Sequence, residues 1–372
     1  MSRRIVQFGT SRFLQAHADL FVHEAREAGQ ATGPITVVKT TEGGDRAGRV
    51  AGFRRAGGFP VRIRGYSAGA LIDQRVMVRS VDQAFDAHAD WPAVTDHFAK
   101  DAEIAWSNVG DRGYDVAEED RVFDPASAKI PVSFPGKLLA LLGARHRAGG
   151  RPLLFLPTEL IASNGRILSC LVADLARAWG MSGAFQEWLA GSVVFADGLV
   201  DRIVSEDIEP IGAVAEPYAL WAIRRGNFDP PFTHPAIVMT DNLEPFERLK
   251  LHILNLGHTV LAEEWTRHGR PADETVARCL SDAAIAQRLT DIYASEVVPG
   301  FAARGMSDAA AAYVLTTMER FRNPFLQHRI ADIASNHATK VARRIQAFMD
   351  WVHERDPSLR MPHLAAIAQA HR

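Results

Sequence analysis

Short β-branched runs alternate with amphipathic stretches from residue 4 to residue 239, and beyond that point strand signals largely stop. This change of period limits the fold more than any other feature of the chain. Candidate strands are residues 4–8, 35–39, 61–66, 104–107 and 153–156, with strand character again at 192–195 and an apolar run at 236–239. Between them, apolar residues recur at helical spacing in 13–28, 82–99, 136–146 and 166–179. Such alternation builds a parallel sheet covered by helices. After the proline-rich passage 227–235 the pattern becomes helical: 245–266, 273–279, 282–297, 307–320, 324–346 and 362–371. At 372 residues the chain exceeds what one core usually organises. The expected architecture is an α/β domain over residues 1–242 and an all-α domain over 243–372.

Composition narrows the function classes. A formal net charge of -2, with both signs interspersed, gives no electrostatic reason to expect nucleic acid or an anionic membrane as partner. The two cysteines, Cys170 and Cys279, lie far apart and outside any Cys-x-x-Cys spacing, so neither a disulfide framework nor a thiolate zinc site is indicated. No apolar run approaches a membrane span, and the stretch at residues 5–8 is too short for a signal-peptide core. A soluble, unprocessed cytoplasmic protein acting on a small molecule is expected, with its oligomeric state open.

Phe8-Gly9-Thr10-Ser11-Arg12-Phe13 follows the first candidate strand. In a dinucleotide fold this turn takes small residues so that the backbone can approach the pyrophosphate. Gly9 and Ser11 fill the first two small positions and the third glycine of the usual fingerprint is missing, so an ordinary βα turn is the competing account. After the second strand, Lys39 points to NADP and Glu42, beside Thr41, to NAD. Ser107 and Asn108 end a further strand and can lie along the cofactor. NAD is expected, with NADP left open.

Lys250-Leu251-His252-Ile253-Leu254-Asn255-Leu256-Gly257-His258 lies on a helix opened by Pro245. At about 100° per residue, Lys250 and His258 fall about 80° apart and Asn255 and His258 about 60° apart. A solvated face is the plain reading, but Leu249, Leu251, Ile253, Leu254, Leu256, Val260 and Leu261 surround the axis and leave the polar residues little open solvent. Buried polar groups need partners or a task. Hydride transfer requires a group that moves a proton: Lys250 can do so without a metal, Asn255 can stabilise the developing oxyanion, and His258 can orient it. No metal-ligand spacing such as His-Glu-x-x-His and no Gly-x-Ser-x-Gly appears.

With these residues in place, the sequence resembles the mannitol dehydrogenase family of long-chain polyol and aldonate dehydrogenases. The likeness is carried by the Phe8–Phe13 turn with Ala16-His17, Thr40-Thr41-Glu42, Asn164-Gly165, Val200-Asp201-Arg202-Ile203, the Lys-x4-Asn-x2-His spacing from Lys250, and Arg320-Phe321-Arg322-Asn323-Pro324. It implies a dinucleotide-binding N-terminal domain, a helical C-terminal domain and metal-independent catalysis. Lys250 is then the proton-transfer residue, Asn255 the oxyanion stabiliser and His258 a substrate ligand, with Asp201 near the cofactor and Arg320 near the substrate. Ser11 stands where many members have glycine. Pro157-Thr158-Glu159-Leu160 departs from the polyol enzymes and resembles the tagaturonate reductase (altronate oxidoreductase) branch, although the chain is shorter than typical members; Glu159 becomes a candidate for modulating Lys250.

A carboxylated substrate calls for a cation. On a helix over 324–346, His328, Asp332, Asn336 and Lys340 fall at successive fourth positions with Arg343 beyond, against a solvated face as the alternative. Lys340 or Arg343 is expected to hold the carboxylate. The leading expectation is interconversion of an aldonate and its keto form, with altronate and tagaturonate as the pair. Mannitol-type polyol or mannonate/fructuronate oxidation is the alternative within enzymes, and a non-catalytic nucleotide sensor the alternative of another class.

Overall fold

The computed structural model describes residues 3–43, 47–55, 57–110, 112–127 and 129–371. They form two compact units: the first runs to residue 243 apart from 63–74 and 216–218, and those two pieces join residues from 244 onward in the second.

The first unit is built on a six-stranded parallel sheet whose neighbours, from edge to edge, are Val81–Asp86, Thr32–Lys39, Arg3–Phe8, Ile104–Ser107, Leu153–Pro157 and Val193–Phe195. Numbered among themselves in chain order, these strands lie 3-2-1-4-5-6, the doubly wound dinucleotide-binding order. The inner strands are buried on both faces, which is why residues 35–39 and 104–107 read as nearly continuous apolar runs. Strand order reverses between Arg3–Phe8 and Ile104–Ser107, so a ligand crevice is expected outside the carboxyl ends of those two strands. A three-stranded sheet of Ile237–Thr240, Leu220–Arg224 and Gly198–Asp201 completes the part of this unit that bears on function.

Two stretches expected from periodicity to be single helices each divide into two elements. The stretch 82–99 is strand Val81–Asp86 followed by helix Trp91–Lys100, which starts after Asp90 with Pro92 in its first turn. Pairing with Thr32–Lys39 overrides the helical spacing of an edge strand that carries few apolar residues. The stretch 13–28 is two helices, Arg12–Gln15 and Ala18–Glu27, separated where His17 leaves the helical region at φ -124° and ψ -94°.

The second unit is helical apart from residues 63–74, and its core includes Ile253, Leu256, Val260, Leu289, Phe301, Ile345 and Phe348. Fully burying each such side chain stabilises the fold by about 1.5–3 kcal/mol. Three helices here carry π segments, at Lys250–Asn255, Tyr293–Val297 and Ala342–Gln346. The helix expected over 324–346 does not form as one piece. Asn323 accepts from the Phe325 amide and donates to the Arg64 carbonyl, fixing a turn, and the backbone at 328–330 pairs with 274–276. Helix then covers Ile330–Ala334 and His337–Val341, divided at Asn336, whose φ of +52° is a conformation asparagine tolerates better than most residues. The expected stripe of His328, Asp332, Asn336 and Lys340 therefore lies on separate segments. Among the described residues no helix is long and apolar enough to cross a membrane.

Candidate active site

In the first unit, Gly9 closes the strand at the crevice with φ +116°, and a β-carbon there would lie 2.5 Å from the Asn108 carbonyl oxygen. Only glycine fits so close an approach of two strand ends. Ser11, in place of a second glycine, caps the following helix by accepting from the Leu14 amide and donates to Asn108 Oδ1 at 2.9 Å. Asn108 in turn donates to the Thr158 carbonyl and hydroxyl oxygens. The turns after three neighbouring strands are thus tied together by polar side chains. Phe8 lies beneath them, buried against Phe98, Phe134 and Phe155, so its ring belongs to the core and only its backbone borders the turn. Phe13 stacks on His17 at 4.7 Å, and Arg12 pairs with Asp207 at the surface.

A cleft of about 520 Å³ opens beside these turns, lined among others by Thr41, Glu42, Val109, Arg112, Ser133 and Lys137. Lys39 does not line it: its amine is buried and bonded to Asp86 at 2.9 Å and to the Thr41 carbonyl at 2.7 Å. That pairing removes the basic half of the mixed signal after the second strand and leaves Glu42 at the cleft. Glu159 is also buried. Its carboxylate accepts from the Ser107 hydroxyl, the Val109 amide and the Tyr114 hydroxyl, bracing the loop that borders the cleft, and burial raises its pKa. Asp201 is buried at the end of its strand, facing Leu220 across the ladder, and Arg202 donates to the Ala16 carbonyl. His17 bonds the Leu220 carbonyl, and burial lowers its pKa to about 3, so the ring is neutral.

In the second unit the π segment decides the geometry. Five residues of α-helix would leave Lys250 and Asn255 about 140° apart around the axis. Because a π-helix closes each turn from i to i+5, Lys250 and Asn255 fall on one side, and His258 follows three residues on in regular helix. Lys250 and Asn255 are half-buried and His258 is buried. The His258 ring packs 4.5 Å from Phe321 and 4.9 Å from His328, whose own pKa is lowered by burial.

Groups that periodicity could not find hold this segment in place. The Tyr293 hydroxyl donates to the Ile253 carbonyl at 2.9 Å, and burial raises its pKa above the ordinary phenol value, so it stays a donor. Gly257 makes room for it, since a β-carbon there would lie 1.9 Å from that hydroxyl oxygen. Arg344 donates to the Asn255 carbonyl and to Thr259, while its own carbonyl bonds His252 Nδ1 at 3.1 Å. Tyr293 and Arg344 both belong to the other π segments, so the three irregular turns support one another.

The expected substrate residues divide. Lys340 donates to the Ile333 carbonyl at 2.7 Å, closing the end of a short helix, whereas Arg343 is exposed. Arg320 forms a buried two-point pair with Glu216 at 3.0 and 2.8 Å and stacks over Tyr218, which gives it a structural role within the unit.

Residues 3–233 match the mannitol dehydrogenase Rossmann domain and residues 242–370 the mannitol dehydrogenase C-terminal domain. Altronate oxidoreductase of Halalkalibacterium halodurans is 28% identical over 398 residues, covering 100% of this chain and 76% of that protein. The Bacillus subtilis altronate oxidoreductase is 26% identical, covering 92% of this chain and 73% of its own length. Among solved structures, a substrate-free D-sorbitol dehydrogenase superposes with a TM-score of 0.79 at 21% identity over 100% of this chain and 80% of its own. Pseudomonas fluorescens mannitol 2-dehydrogenase, in ternary complex with NAD and D-mannitol, gives 0.72 at 16% identity over 100% of this chain and 79% of its own. At these identities the two structures speak for the fold, a Rossmann-like domain with a helical C-terminal domain. With both domain matches together spanning nearly the whole sequence, the chain belongs to the mannitol dehydrogenase family and is an oxidoreductase acting on CH–OH groups.

Proposed function

We propose that the protein is an NAD-dependent aldonate dehydrogenase that interconverts a sugar acid and its keto form, with altronate and tagaturonate as the first pair to test. The observation that carries this reading is the π segment that puts Lys250 and Asn255 on one side of the helix, three residues before His258. We take residues 1–242 as the nucleotide-binding domain and residues 243–372 as the domain that carries the proton-transfer group.

The residues of the first unit fit a dinucleotide: Gly9 has no room for a side chain, polar side chains brace the turns after three strands, and Glu42 lines the adjoining cleft. When bound, the nicotinamide supplies the acceptor for the hydride leaving the carbinol carbon. In oxidation Lys250 Nζ takes the hydroxyl proton as that carbon becomes a carbonyl, and in reduction it returns the proton to the carbonyl oxygen. The Asn255 amide donates to the oxygen as negative charge develops on it. His258 orients the same oxygen or a neighbouring hydroxyl.

Support for a sugar acid comes from the altronate oxidoreductase relatives, and Arg343, exposed on the π segment that also carries Arg344, is the cation we assign to its carboxylate. Following NADH and NADPH absorbance against ketouronates and ketoses, with Lys250→Ala as control, tests the reading. Turnover of ketoses alone moves the substrate to polyols, and cofactor binding with no turnover on any substrate points to a nucleotide sensor.

Two further results are expected. Glu42→Ala should raise KM for NAD about tenfold while improving or sparing KM for NADP, because a carboxylate bonded to ribose hydroxyls is lost in one case and a like charge is removed in the other. Equal changes for both cofactors would remove Glu42 from the ribose site. Arg343→Ala should raise KM for an aldonate about tenfold, the scale of a charge-assisted contact, and leave KM for a polyol unchanged. Equal effects on the two substrates would move the carboxylate site elsewhere, and Lys340→Ala is then the variant to compare.

A further inference from the structure

Glu263, His337 and His371 converge in the second unit, away from any motif spacing: each presents one ligand atom, and these atoms all lie within 4.8 Å of one another. His337 Nε2 is 3.1 Å and His371 Nε2 is 2.7 Å from the same oxygen, Glu263 Oε2, and the two rings meet edge to face at 4.8 Å. The other carboxylate oxygen of Glu263 faces Arg267 at 3.5 Å, which orients the group as outer-sphere partners orient a metal-bound carboxylate. Glu263 is buried, and the two imidazoles are partly exposed.

From this convergence we propose a divalent transition-metal site of the zinc class, with Glu263 Oε2, His337 Nε2 and His371 Nε2 as ligands and water completing the shell. Two imidazoles and a carboxylate are a donor set zinc takes in tetrahedral geometry, with ligand distances of about 2.0–2.2 Å. Donor atoms around such an ion stand about 3.3 Å apart, so the two contacts to Glu263 need to spread by tenths of an ångström to admit it, while the two imidazole nitrogens, within 4.8 Å of each other, must stand at that same spacing. The ion would join three elements: Glu263 stands on Leu256–Arg267, the helix that carries His258, His337 opens His337–Val341, and His371 ends the helix Pro362–Ala370. Its role is to fasten these helices. Glu263 lies five residues beyond His258, about 7.5 Å along the axis and about 140° around it, so the ion takes no part in proton transfer. Sequence spacing hid the set because His337 lies 74 residues beyond Glu263 and His371 lies 108 beyond it.

The test uses the whole chain, stripped with chelator and titrated with cobalt(II) alone, reading visible d–d absorption, and then with zinc, reading the thermal midpoint. Saturation at one equivalent is expected, with a rise in midpoint on adding zinc. His371→Ala, His337→Ala and Glu263→Gln should each weaken binding beyond the roughly tenfold to hundredfold typical of outer-sphere changes, and Arg267→Ala should fall within that range. His371 is a quarter exposed, so its replacement disturbs packing least, and circular dichroism verifies that the variant is folded. No saturable absorption or thermal shift in the wild type means that the three residues are a hydrogen-bonded clasp only, and saturation unchanged in His371→Ala places the ion elsewhere. Either result overturns the proposal.

Discussion

Lys250→Ala is expected to lower kcat/KM by about 10²–10⁴-fold in both directions, the contribution of a positioned general acid or base. The loss should fall on kcat. KM for the nucleotide should hold, because the turns at Gly9, Ser11 and Asn108 belong to the first unit and Lys250 to the second. Added small primary amines should restore part of the rate, and Lys250→Arg, which keeps the charge but resists deprotonation, should restore none. A variant within tenfold of wild type, or one whose loss falls on KM for the sugar substrate, would show that the lysine serves substrate binding instead. The size of the expected effect separates this residue from the peripheral ones, for which about tenfold changes in KM are predicted.

Much of the first unit was legible because its signals are local. A parallel strand buried on both faces reads as a β-branched run wherever it occurs, and four of the five expected strands formed in the parallel sheet with ends within a few residues, whereas 61–66 formed as Phe59–Ser67 in a separate four-stranded sheet with burial alternating along it. Val81–Asp86 was lost to a helix because an edge strand takes its conformation from its neighbour, and hairpin strand Ala70–Val78 was missed altogether. In the second unit periodicity located most helices but not their irregularities. Asn336 can break a helix, yet only the positive φ at that position reveals that it does. The Lys-x4-Asn-x2-His spacing could be seen, while the turn that makes it useful could not: read as α-helix it leaves Lys250 and Asn255 far apart around the axis. A hydroxyl 40 residues away bonds the Ile253 carbonyl inside this turn, past a residue with no side chain. Lys39 follows the same logic, since whether it meets a phosphate or a carboxylate depended on Asp86, a strand neighbour by fold alone.

The dependence on that hydroxyl gives a second large effect. Gly257→Ala would put a β-carbon 1.9 Å from the Tyr293 hydroxyl oxygen and 2.9 Å from the Phe321 ring, so the tyrosine must withdraw by more than an ångström. Overpacking of this kind costs about 1–3 kcal/mol of stability. The Ile253 carbonyl then loses its side-chain donor and keeps only backbone partners such as the Leu256 amide, and the helix can regain α register by turning Asn255 away from Lys250. A misplacement of that size in a reacting pair is worth about 10²-fold in rate, so kcat should fall by about that factor with KM for the nucleotide unmoved. Tyr293→Phe removes the donor without the clash, and because the Leu256 amide also reaches the Ile253 carbonyl the loss is that of one hydrogen bond, about 0.5–1.5 kcal/mol. Its kcat should fall less, because Arg344 and Thr259 still hold the Asn255 carbonyl. The double variant distinguishes this account from general damage to the core. If the hydroxyl is what the new methyl strikes, Gly257→Ala should cost less in a Tyr293→Phe background than in the wild type, because phenylalanine leaves the methyl more room. Such coupling is measurable for residues in contact, both in thermal midpoint and in kcat. Strict additivity in both would mean that Tyr293 and Gly257 do not act through a shared contact, and the π turn would then need another cause.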